Sequence, residues 1–340
     1  MRTANGQGHC VDIRQLRYFV TIVEMGSFSK AAHRLHVAQP ALSQHVRNME
    51  LDLGVELLFR NSQGVRPTEA GETMVRHARL ILSQMDVARE AVRRGQIEPE
   101  GEVRFGMPGT VSQLLCVPLL SEARRRYPKI KLRIAEAMSG FVLDWLREGK
   151  VDLGILYRSV AERGFQARGV LSEELTLLGP VEAMEHPHPP EGPLSLAAAA
   201  DLTLILPSHG HGLRDLIEER ALSDNVHLNT VIDIDTYGQI KLLVQGGLGY
   251  SILPNAALRS EIEQGLLRTW PLGEPRVSRD LHLVRPSDRP QAHSVQVIEE
   301  LAYMTLVKLV KQNVWPARLI GDATRDHTSE LIFPSATDSK

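Results

Sequence analysis

The first forty residues show apolar positions at helical spacing, interrupted by turns. A stripe at i, i+3, i+4 and i+7 predicts a helix over 13–25 that ends at Gly26. Ser29 is expected to cap a second, alanine-rich helix over 30–36. The members of the first stripe are Leu16, Phe19, Val20 and Val23.

A third helix, predicted over 40–53, has two chemically different faces. One face is an apolar stripe of Leu42, Val46, Met49 and Leu53. The other is polar and, with the residue before the helix, contains Gln39, Pro40, Ser43, Gln44 and Arg47. Hydroxyl, amide and guanidinium groups match the patterns that base edges display in a major groove, which admits one helix. A three-helix bundle whose polar face only meets water would give the same pattern.

Residues 57–67 predict a small β-hairpin with arginines at its flanks, the layout of a winged helix-turn-helix. Arg60 and Arg66 are expected to contact phosphates, and Ser29 is placed with them at the DNA. The alternative for both arginines is simple exposure on a hairpin.

A long helix is predicted after the hairpin, with Thr68 as its cap and Gly95 beyond its end. Spacings of three and four sustained for so long suit a helix that pairs with its twin, although packing against the chain's own body remains open. A dimer would place two recognition helices about 34 Å apart, on successive major-groove faces. The apolar stripe is Ala70, Met74, Ala78, Ile81, Met85, Ala88 and Val92.

The remainder alternates strand and helix patterns, which predicts an α/β fold with parallel strands. Residues 96–101 have linker composition. Two similar halves predict two lobes, with the chain crossing at Gly179-Pro180 and returning before a strand over 281–285. The other predicted strands are 102–107, 130–136, 152–157, 202–206, 227–234 and 249–253; the helices are 111–127, 140–149, 213–222, 237–245 and 292–310.

Polar residues follow several of these strands, at the edge where open α/β sheets bind ligands. A small molecule is therefore expected between the lobes. Helix capping alone would also select serine and threonine at these positions. The candidate ligand-binding residues are Thr110, Ser139, Tyr157, Ser208 and Thr236.

Composition narrows the class of protein. The 340 residues have a formal net charge of −2, but residues 1–95 hold an excess of lysine and arginine, which suits a polyanion-binding segment on an acidic body. The only cysteines, Cys10 and Cys116, do not predict a disulfide framework, and no apolar run resembles a membrane span, so a cytoplasmic protein is expected. No catalytic residues and no cofactor are predicted. No metal is predicted either, although His186, His188, His209 and His211 are candidates by residue type.

Several segments resemble the LysR-type transcriptional regulators at family spacing, and within that family the nitrogen assimilation control group, through residues 14–19 and 65–69. The resemblance implies a two-lobed, periplasmic-binding-protein-like effector domain, a small-molecule co-inducer, promoter DNA as partner, and a dimer that often becomes a tetramer. RNA polymerase is considered as a further partner. The matching segments are Leu16–Phe19, Gly26–Ala32, Leu35, Gln39–Ser43, Glu50, Leu53–Gly54, Leu58–Arg60 and Thr68–Gly71.

The expected domains are a winged helix-turn-helix over 1–67, a dimerisation helix over 68–95, and an effector domain over 96–315. Residues 316–340 are expected to be a disordered tail. Residues 1–10 are expected to be an extra leader, with the true start at Val11. The competing hypothesis is an α/β solute-binding or enzymatic domain with a helical accessory module.

Overall fold

The structure, a computed structural model, describes residues 11–61, 64–92, 98–157, 160, 162–182, 188–274 and 276–324. The expected leader at 1–10, His186, and residues 325–340 of the expected tail lie outside the described residues. The chain divides into two units, which are treated separately. The first holds the described residues up to Glu98 with Trp145–Lys150 and Arg289–His293, and the second holds the rest.

Helix α1 (Ile13–Met25) has the predicted bounds. Its N-cap is Asp12, whose carboxylate accepts a hydrogen bond from the N–H of Gln15 at 2.7 Å. Gly26 ends the helix with a φ of 59°, a left-handed conformation that costs glycine little. The carbonyl of Gly26 then accepts a hydrogen bond from the N–H of Val65 at 3.0 Å, so the end of α1 is tied to the hairpin.

Helix α2 (Phe28–Leu35) begins two residues before the predicted start, and the prediction that Ser29 caps it was wrong. The hydroxyl of Ser27 accepts the hydrogen bond from the N–H of Lys30, at 3.4 Å. Ser29 lies in the first turn and is exposed. The earlier start has a packing reason, because it brings Phe28 into the buried core as a helical residue.

Helix α3 (Gln39–Leu53) begins one residue earlier than predicted, with Ala38 at the cap position, so Pro40 occupies its second position and not its first. Three members of the predicted apolar stripe are fully buried. The fourth, Leu53, is 40% exposed, because the last turn of α3 extends beyond the core that α1 and α2 supply. The buried members are Leu42, Val46 and Met49.

The predicted hairpin is present as β1 (Leu58–Asn61) and β2 (Gly64–Pro67), paired antiparallel, and is followed by α4 (Glu69–Val92). The predicted stripe of α4 divides into two parts. Near its start the helix packs on the core of α1–α3, where Ala78 is buried. Further along, apolar side chains face solvent: Ile81 is 45% exposed and Val92 is 88% exposed.

The start of α4 is fixed against the connection between α3 and β1. Thr68 caps the helix as predicted, because its hydroxyl accepts a hydrogen bond from the N–H of Gly71 at 3.0 Å. A Cβ on Gly71 would lie 2.0 Å from the carbonyl oxygen of Leu57, which is far inside van der Waals contact. Only glycine therefore fits at this position.

The second unit contains a sheet in the order β10-β6-β11-β5-β3-β4, with β9 and β12 also pairing β6. Strand β3 runs parallel to β4 and to β5, as predicted, and β11 runs antiparallel to β5. The first lobe comprises β3 (Gly101–Met107), α5 (Gly109–Arg126), β4 (Ile130–Glu136), α6 (Ser139–Arg147), β5 (Leu153–Leu156), β11 (Ser278–Pro286), α11 (His293–Lys311), β12 (Arg318–Leu319) and the first part of β6, a strand that runs from Phe165 to Gly179. The last three residues of α6 and the first residue of α11 are counted with the first unit.

The second lobe is built on the last part of β6 and has a core of its own. Strands β7 and β8 are parallel, and a bridge between Leu204 and Tyr250 connects β7 to the start of β9. The elements of this lobe are α7 (Leu196–Ala200), β7 (Leu204–Leu206), α8 (Gly212–Ser223), β8 (Thr230–Asp233), α9 (Tyr237–Gln245), β9 (Ser251–Pro254), a short 3-10 turn at Asn255–Ala257, α10 (Arg259–Glu263) and β10 (Arg268–Pro271). A second 3-10 turn, Gly321–Thr324, belongs to the first lobe.

The largest departure from the predicted body is the strand β6, which the sequence pattern did not reveal. The chain was expected to cross between lobes at Gly179-Pro180, but β6 begins at Phe165 and belongs to both lobes. Glycine and charged residues along β6 interrupt its apolar pattern, Gly169 and Glu173 among them. Pairing with β11 over nine residues nevertheless holds it extended.

We predict that Gly71→Ala destabilises the N-terminal unit by about 1–3 kcal/mol, because the new methyl group has to displace the backbone at Leu57. Gly140→Ala is the control, since a Cβ there meets no atom within 4 Å. Thermal unfolding followed by circular dichroism measures both variants. A Gly71→Ala protein that melts with the parent would contradict the close approach.

Candidate DNA-binding face and effector site

The polar side of α3 faces outward over its whole length. Its members Gln39, Pro40, Gln44 and Arg47 are exposed and Ser43 is half-buried, opposite the three buried apolar residues. Gln44 donates a hydrogen bond from Nε2 to Oδ1 of Asn48 at 2.7 Å, one turn further along. The helix therefore presents amide, hydroxyl and guanidinium groups to solvent, as the sequence predicted.

Glu50, on the same helix, fixes the hairpin to α3. Its Oε1 accepts hydrogen bonds from the N–H groups of Leu57 and Leu58, at 3.0 and 3.2 Å. Its Oε2 pairs with Nη2 of Arg60 at 3.0 Å. Glu50 was matched to the family pattern without a role, and the available signal was an acidic residue ten positions before a hairpin arginine. In the structure its side chain is only 16% exposed.

The two hairpin arginines have different surroundings. The guanidinium of Arg60 pairs with Glu50 and lies 5.0 Å from the centre of the Phe28 ring. Arg66 lies on β2 and is exposed. Ser29, on the first turn of α2, is exposed as well. Arg60 therefore has a structural partner in addition to its predicted role at phosphate.

In the first lobe, three of the predicted effector residues lie together. The hydroxyl of Thr110, at the start of α5, is 3.2 Å from the phenolic oxygen of Tyr157. The backbone N–H of Tyr157 donates to the hydroxyl of Ser139 at 3.3 Å. The burial of its hydroxyl raises the pKa of Tyr157 well above the usual value, so this group stays a neutral donor and acceptor.

In the second lobe, Ser208 and Thr236 lie beside one acidic residue. Asp235 accepts a hydrogen bond from the backbone N–H of Ser208 at 2.9 Å, and this bond lowers the pKa of Asp235. Thr236 is the N-cap of α9, is exposed, and makes no side-chain capping bond. Its hydroxyl therefore does not act as the cap that the alternative interpretation required.

A buried ion pair that the sequence analysis missed lies next to Tyr157. Arg279 on β11 donates from Nε to Oε1 of Glu173 on β6 at 2.7 Å, and its guanidinium carbon lies 3.5 Å from the centre of the Tyr157 ring. The Glu173 side chain is 0% exposed and that of Arg279 is 5% exposed. The indole N–H of Trp315 donates to the other oxygen of Glu173 at 2.8 Å. The available signal was a pair of adjacent glutamates, Glu173 and Glu174, between two short apolar runs.

The histidines that were considered as metal ligands have other partners. His211 caps α8 by accepting from the N–H of Leu213 at 3.2 Å, and burial lowers its pKa. His188 lies 3.2 Å from the hydroxyl of Tyr250. Within the described parts of the chain no cluster of three or more His, Cys, Asp or Glu side chains is arranged to hold a metal ion. The helices described there also include none with the length and hydropathy needed to cross a bilayer.

Comparison with known proteins decides the family. Residues 13–72 match the model for the bacterial regulatory helix-turn-helix protein, lysR family, and residues 96–303 match the model for the LysR substrate binding domain. The chain belongs to the LysR family of bacterial transcription regulators. This confirms the predicted fold class, an N-terminal helix-turn-helix followed by an α/β effector-binding domain.

Individual relatives of this LysR-type regulator support the assignment. It is 32% identical to the nitrogen assimilation regulatory protein nac of Klebsiella aerogenes, over 85% of this chain and 94% of that protein, which confirms the resemblance to the nitrogen assimilation control group. A full-length OxyR variant from Pseudomonas aeruginosa has a similar structure, with a TM-score of 0.72, 27% identity, and coverage of 86% of this chain and 98% of that one.

A third similar structure shares the fold alone. It is full-length CbnR complexed with its target DNA, with a TM-score of 0.59 and 21% identity, covering 86% of this chain and 99% of that one. At this identity the likeness concerns the arrangement of helices and strands, and it carries no residue roles over to this regulator.

We predict that Glu173→Gln destabilises the effector domain by about 3–5 kcal/mol, because it leaves the charge of Arg279 buried without a counter-charge. Glu174→Gln is a matched control at the adjacent position, where the side chain is 53% exposed and lies 4.0 Å from Arg276. Thermal unfolding of the full chain, monitored by Trp fluorescence, measures both. Equal melting temperatures for the two variants would show that the buried pair contributes little.

Proposed function

We propose that α3 binds in the major groove of operator DNA, with Gln39, Ser43, Gln44 and Arg47 as the residues that contact base edges. The observation that carries this proposal is the division of α3 into a buried apolar face and an outward polar face. Side chains of these types pair with base edges, and a good bidentate pair contributes roughly 1–3 kcal/mol of discrimination.

Sequence-independent affinity comes from the groups around α3. Arg66 and Ser29 are exposed and contact phosphates, and Pro40 lies against the backbone of the duplex. Arg60 also contacts phosphate, held in place by Glu50. Such contacts release counterions, so binding weakens steeply as the salt concentration rises.

The regulator acts as a dimer through α4. The apolar stripe of this helix faces solvent in the single chain at Ile81, Ala88 and Val92, which is the surface that a twin helix would cover. A twofold pair of α3 helices then matches two half-sites of a pseudo-palindromic operator. We further propose that two dimers associate into a tetramer and that the regulator contacts RNA polymerase. Its place is then the bacterial cytoplasm, where the promoter DNA is.

A small-molecule co-inducer binds between the two lobes of the effector domain. Thr110, Ser139 and Tyr157 supply polar groups from the first lobe, and Ser208 and Thr236 supply them from the second. A ligand that binds one lobe arrangement more tightly than the other shifts the population toward it and so changes DNA binding or DNA bending.

The alternative, an enzymatic or solute-binding domain with a helical accessory, has less support. The family is one of transcription regulators, and its helix-turn-helix model matches the segment that contains α3. Salt-sensitive binding to duplex DNA that depends on the α3 face distinguishes the two hypotheses, because an accessory helix would be indifferent to DNA.

We predict that Arg47→Ala weakens binding to a selected duplex about tenfold or more and relaxes its sequence preference, because a base contact is lost. Arg66→Ala weakens binding to selected and random duplexes alike and lowers the slope of log affinity against log salt by about 1. The probe is a duplex selected from a random pool by the full-length parent protein, and binding is measured by fluorescence anisotropy.

Arg124→Ala is the control for both changes, since Arg124 is exposed at the end of α5, far along the chain from the helix-turn-helix. An Arg47→Ala protein that keeps the affinity and sequence preference of the parent would overturn the assignment of α3 to the groove.

We predict that a metabolite which raises the melting temperature of the parent binds about fivefold to tenfold more weakly to Thr110→Val and to Tyr157→Phe, because each change removes one hydrogen-bonding group. Ser223→Ala is the control, since its hydroxyl bonds only within α8. Titration calorimetry measures the affinities. Unchanged affinity in both variants would place the co-inducer elsewhere.

A further inference from the structure

A pocket lies in the first lobe, on the strands β6 and β11 and under the helix α11. Its volume is about 490 Å³, within the range of pockets that hold small molecules. The 3-10 turn Gly321–Thr324 forms one side. None of the predicted effector residues lines it, so it is separate from the proposed co-inducer site.

Charged side chains of both signs line this pocket. Arg168 places Nη1 2.9 Å from Oε2 of Glu300, and Arg285 places Nε 2.9 Å from Oε2 of Glu299. The guanidinium of Arg168 also lies 3.3 Å from the centre of the Tyr303 ring, which holds it in one orientation. All four charged side chains are partly exposed, between 17% and 39%, so they are held in place yet accessible.

One carboxylate in the lining has no counter-charge. Asp322, on the 3-10 turn, is exposed and makes no hydrogen bond or ion pair with the described residues. With it the pocket has three carboxylates against two guanidinium groups. The carboxylates do not converge as metal ligands would in the part of the chain that the structure describes. An organic ammonium group therefore suits the surplus negative charge better than a metal ion does.

The turn packs closely against β6 at one side of the pocket. A Cβ on Gly321 would lie 3.3 Å from the carbonyl oxygen of Gly169, and a Cβ on Gly169 would lie 3.3 Å from Cδ1 of Ile320. Burial raises the pKa of Glu299 above its usual value, and the nearby Arg285 offsets only part of this rise. The pocket thus combines fixed arginines and an uncompensated carboxylate beside a closely packed turn.

We propose that this pocket binds a small zwitterion of the amino-acid type, with its ammonium group at Asp322 and Glu300 and its carboxylate at Arg168 and Arg285. A dianion would face three carboxylates, and a simple amine would leave both guanidinium groups without a ligand partner. A molecule with both charges can pair with the carboxylates and with the guanidinium groups at once. Because β6 and β11 also carry the Glu173–Arg279 pair, binding at this pocket acts on β6, the strand that belongs to both lobes.

The test is titration calorimetry of the full chain with each common L-amino acid in turn at millimolar concentration. Each ligand that binds is repeated as its N-acetyl derivative and as its carboxamide. We expect at least one amino acid to bind, and each blocked derivative to bind about fivefold or more weakly, the loss expected for one partly exposed ion pair.

Two variants connect the ligand groups to the pocket. Asp322→Asn should weaken the free amino acid about fivefold but leave the N-acetyl derivative unchanged, and Arg168→Lys should reduce discrimination between acid and carboxamide. The control is Asp201→Asn, an exposed aspartate in the second lobe. Comparing derivatives within one variant keeps the test valid even if that variant is less stable.

Two results would overturn the proposal. One is the absence of binding by any amino acid. The other is binding that Asp322→Asn and Arg168→Lys leave intact but that Thr110→Val abolishes, since this would place the amino acid between the lobes. Neither result affects DNA binding by α3, and the second would support the proposed co-inducer site, so failure here is distinguishable from failure of the proposed function.

Discussion

The effector domain depends on one buried ion pair between its two longest strands. Moving Glu173 and Arg279 out of water is costly, and this cost is offset because both oxygens of the carboxylate are used: one accepts from Arg279 and the other from the indole of Trp315. Strands β6 and β11 pair over nine residues, and a slip in their register would separate the charges. The pair therefore specifies the alignment of β11 with β6, the strand that belongs to both lobes.

A carboxylate has a comparable role in the helix-turn-helix. Glu50 lies on the same helix as the proposed base-contacting residues, but its oxygens point to the hairpin, where they accept two backbone N–H groups and pair with Arg60. Leu57 lies just before β1 and Leu58 is the first residue of that strand, so this carboxylate fixes the start of the hairpin. One side chain thus connects α3 to the hairpin, so the proposed base-contacting residues and the proposed phosphate-contacting residues are fixed to each other.

Periodicity was enough for elements with one clear environment. The bounds of α1 and α9 were predicted to the residue, because each has an apolar stripe with a distinct signal at both ends. The start of α2 was misplaced because two serines compete for the cap and only the packing of Phe28 decides between them.

Strand β6 was missed because its residues face two lobes in turn, and one alternation pattern cannot describe both. The proximity of Thr110, Ser139 and Tyr157 could be predicted, because each follows a strand at the same edge of the sheet; their binding of an effector stays a prediction. Arg279 and Glu173 could not be paired from the sequence, because they become neighbours only through strand pairing across 106 positions.

The position of Tyr157 connects the ion pair to the proposed co-inducer site. Its ring lies against the guanidinium of Arg279, while its hydroxyl lies within hydrogen-bonding distance of Thr110. A ligand that takes the place of Thr110 at this hydroxyl must either keep the ring where it is or move it off a buried charge. Moving the ring costs the cation–π contact in a region of low dielectric, where such contacts are strongest. The two lobe arrangements that a co-inducer distinguishes should therefore differ in whether Tyr157 covers Arg279. A ligand that leaves this contact the same in both arrangements does not shift the equilibrium between them through Tyr157.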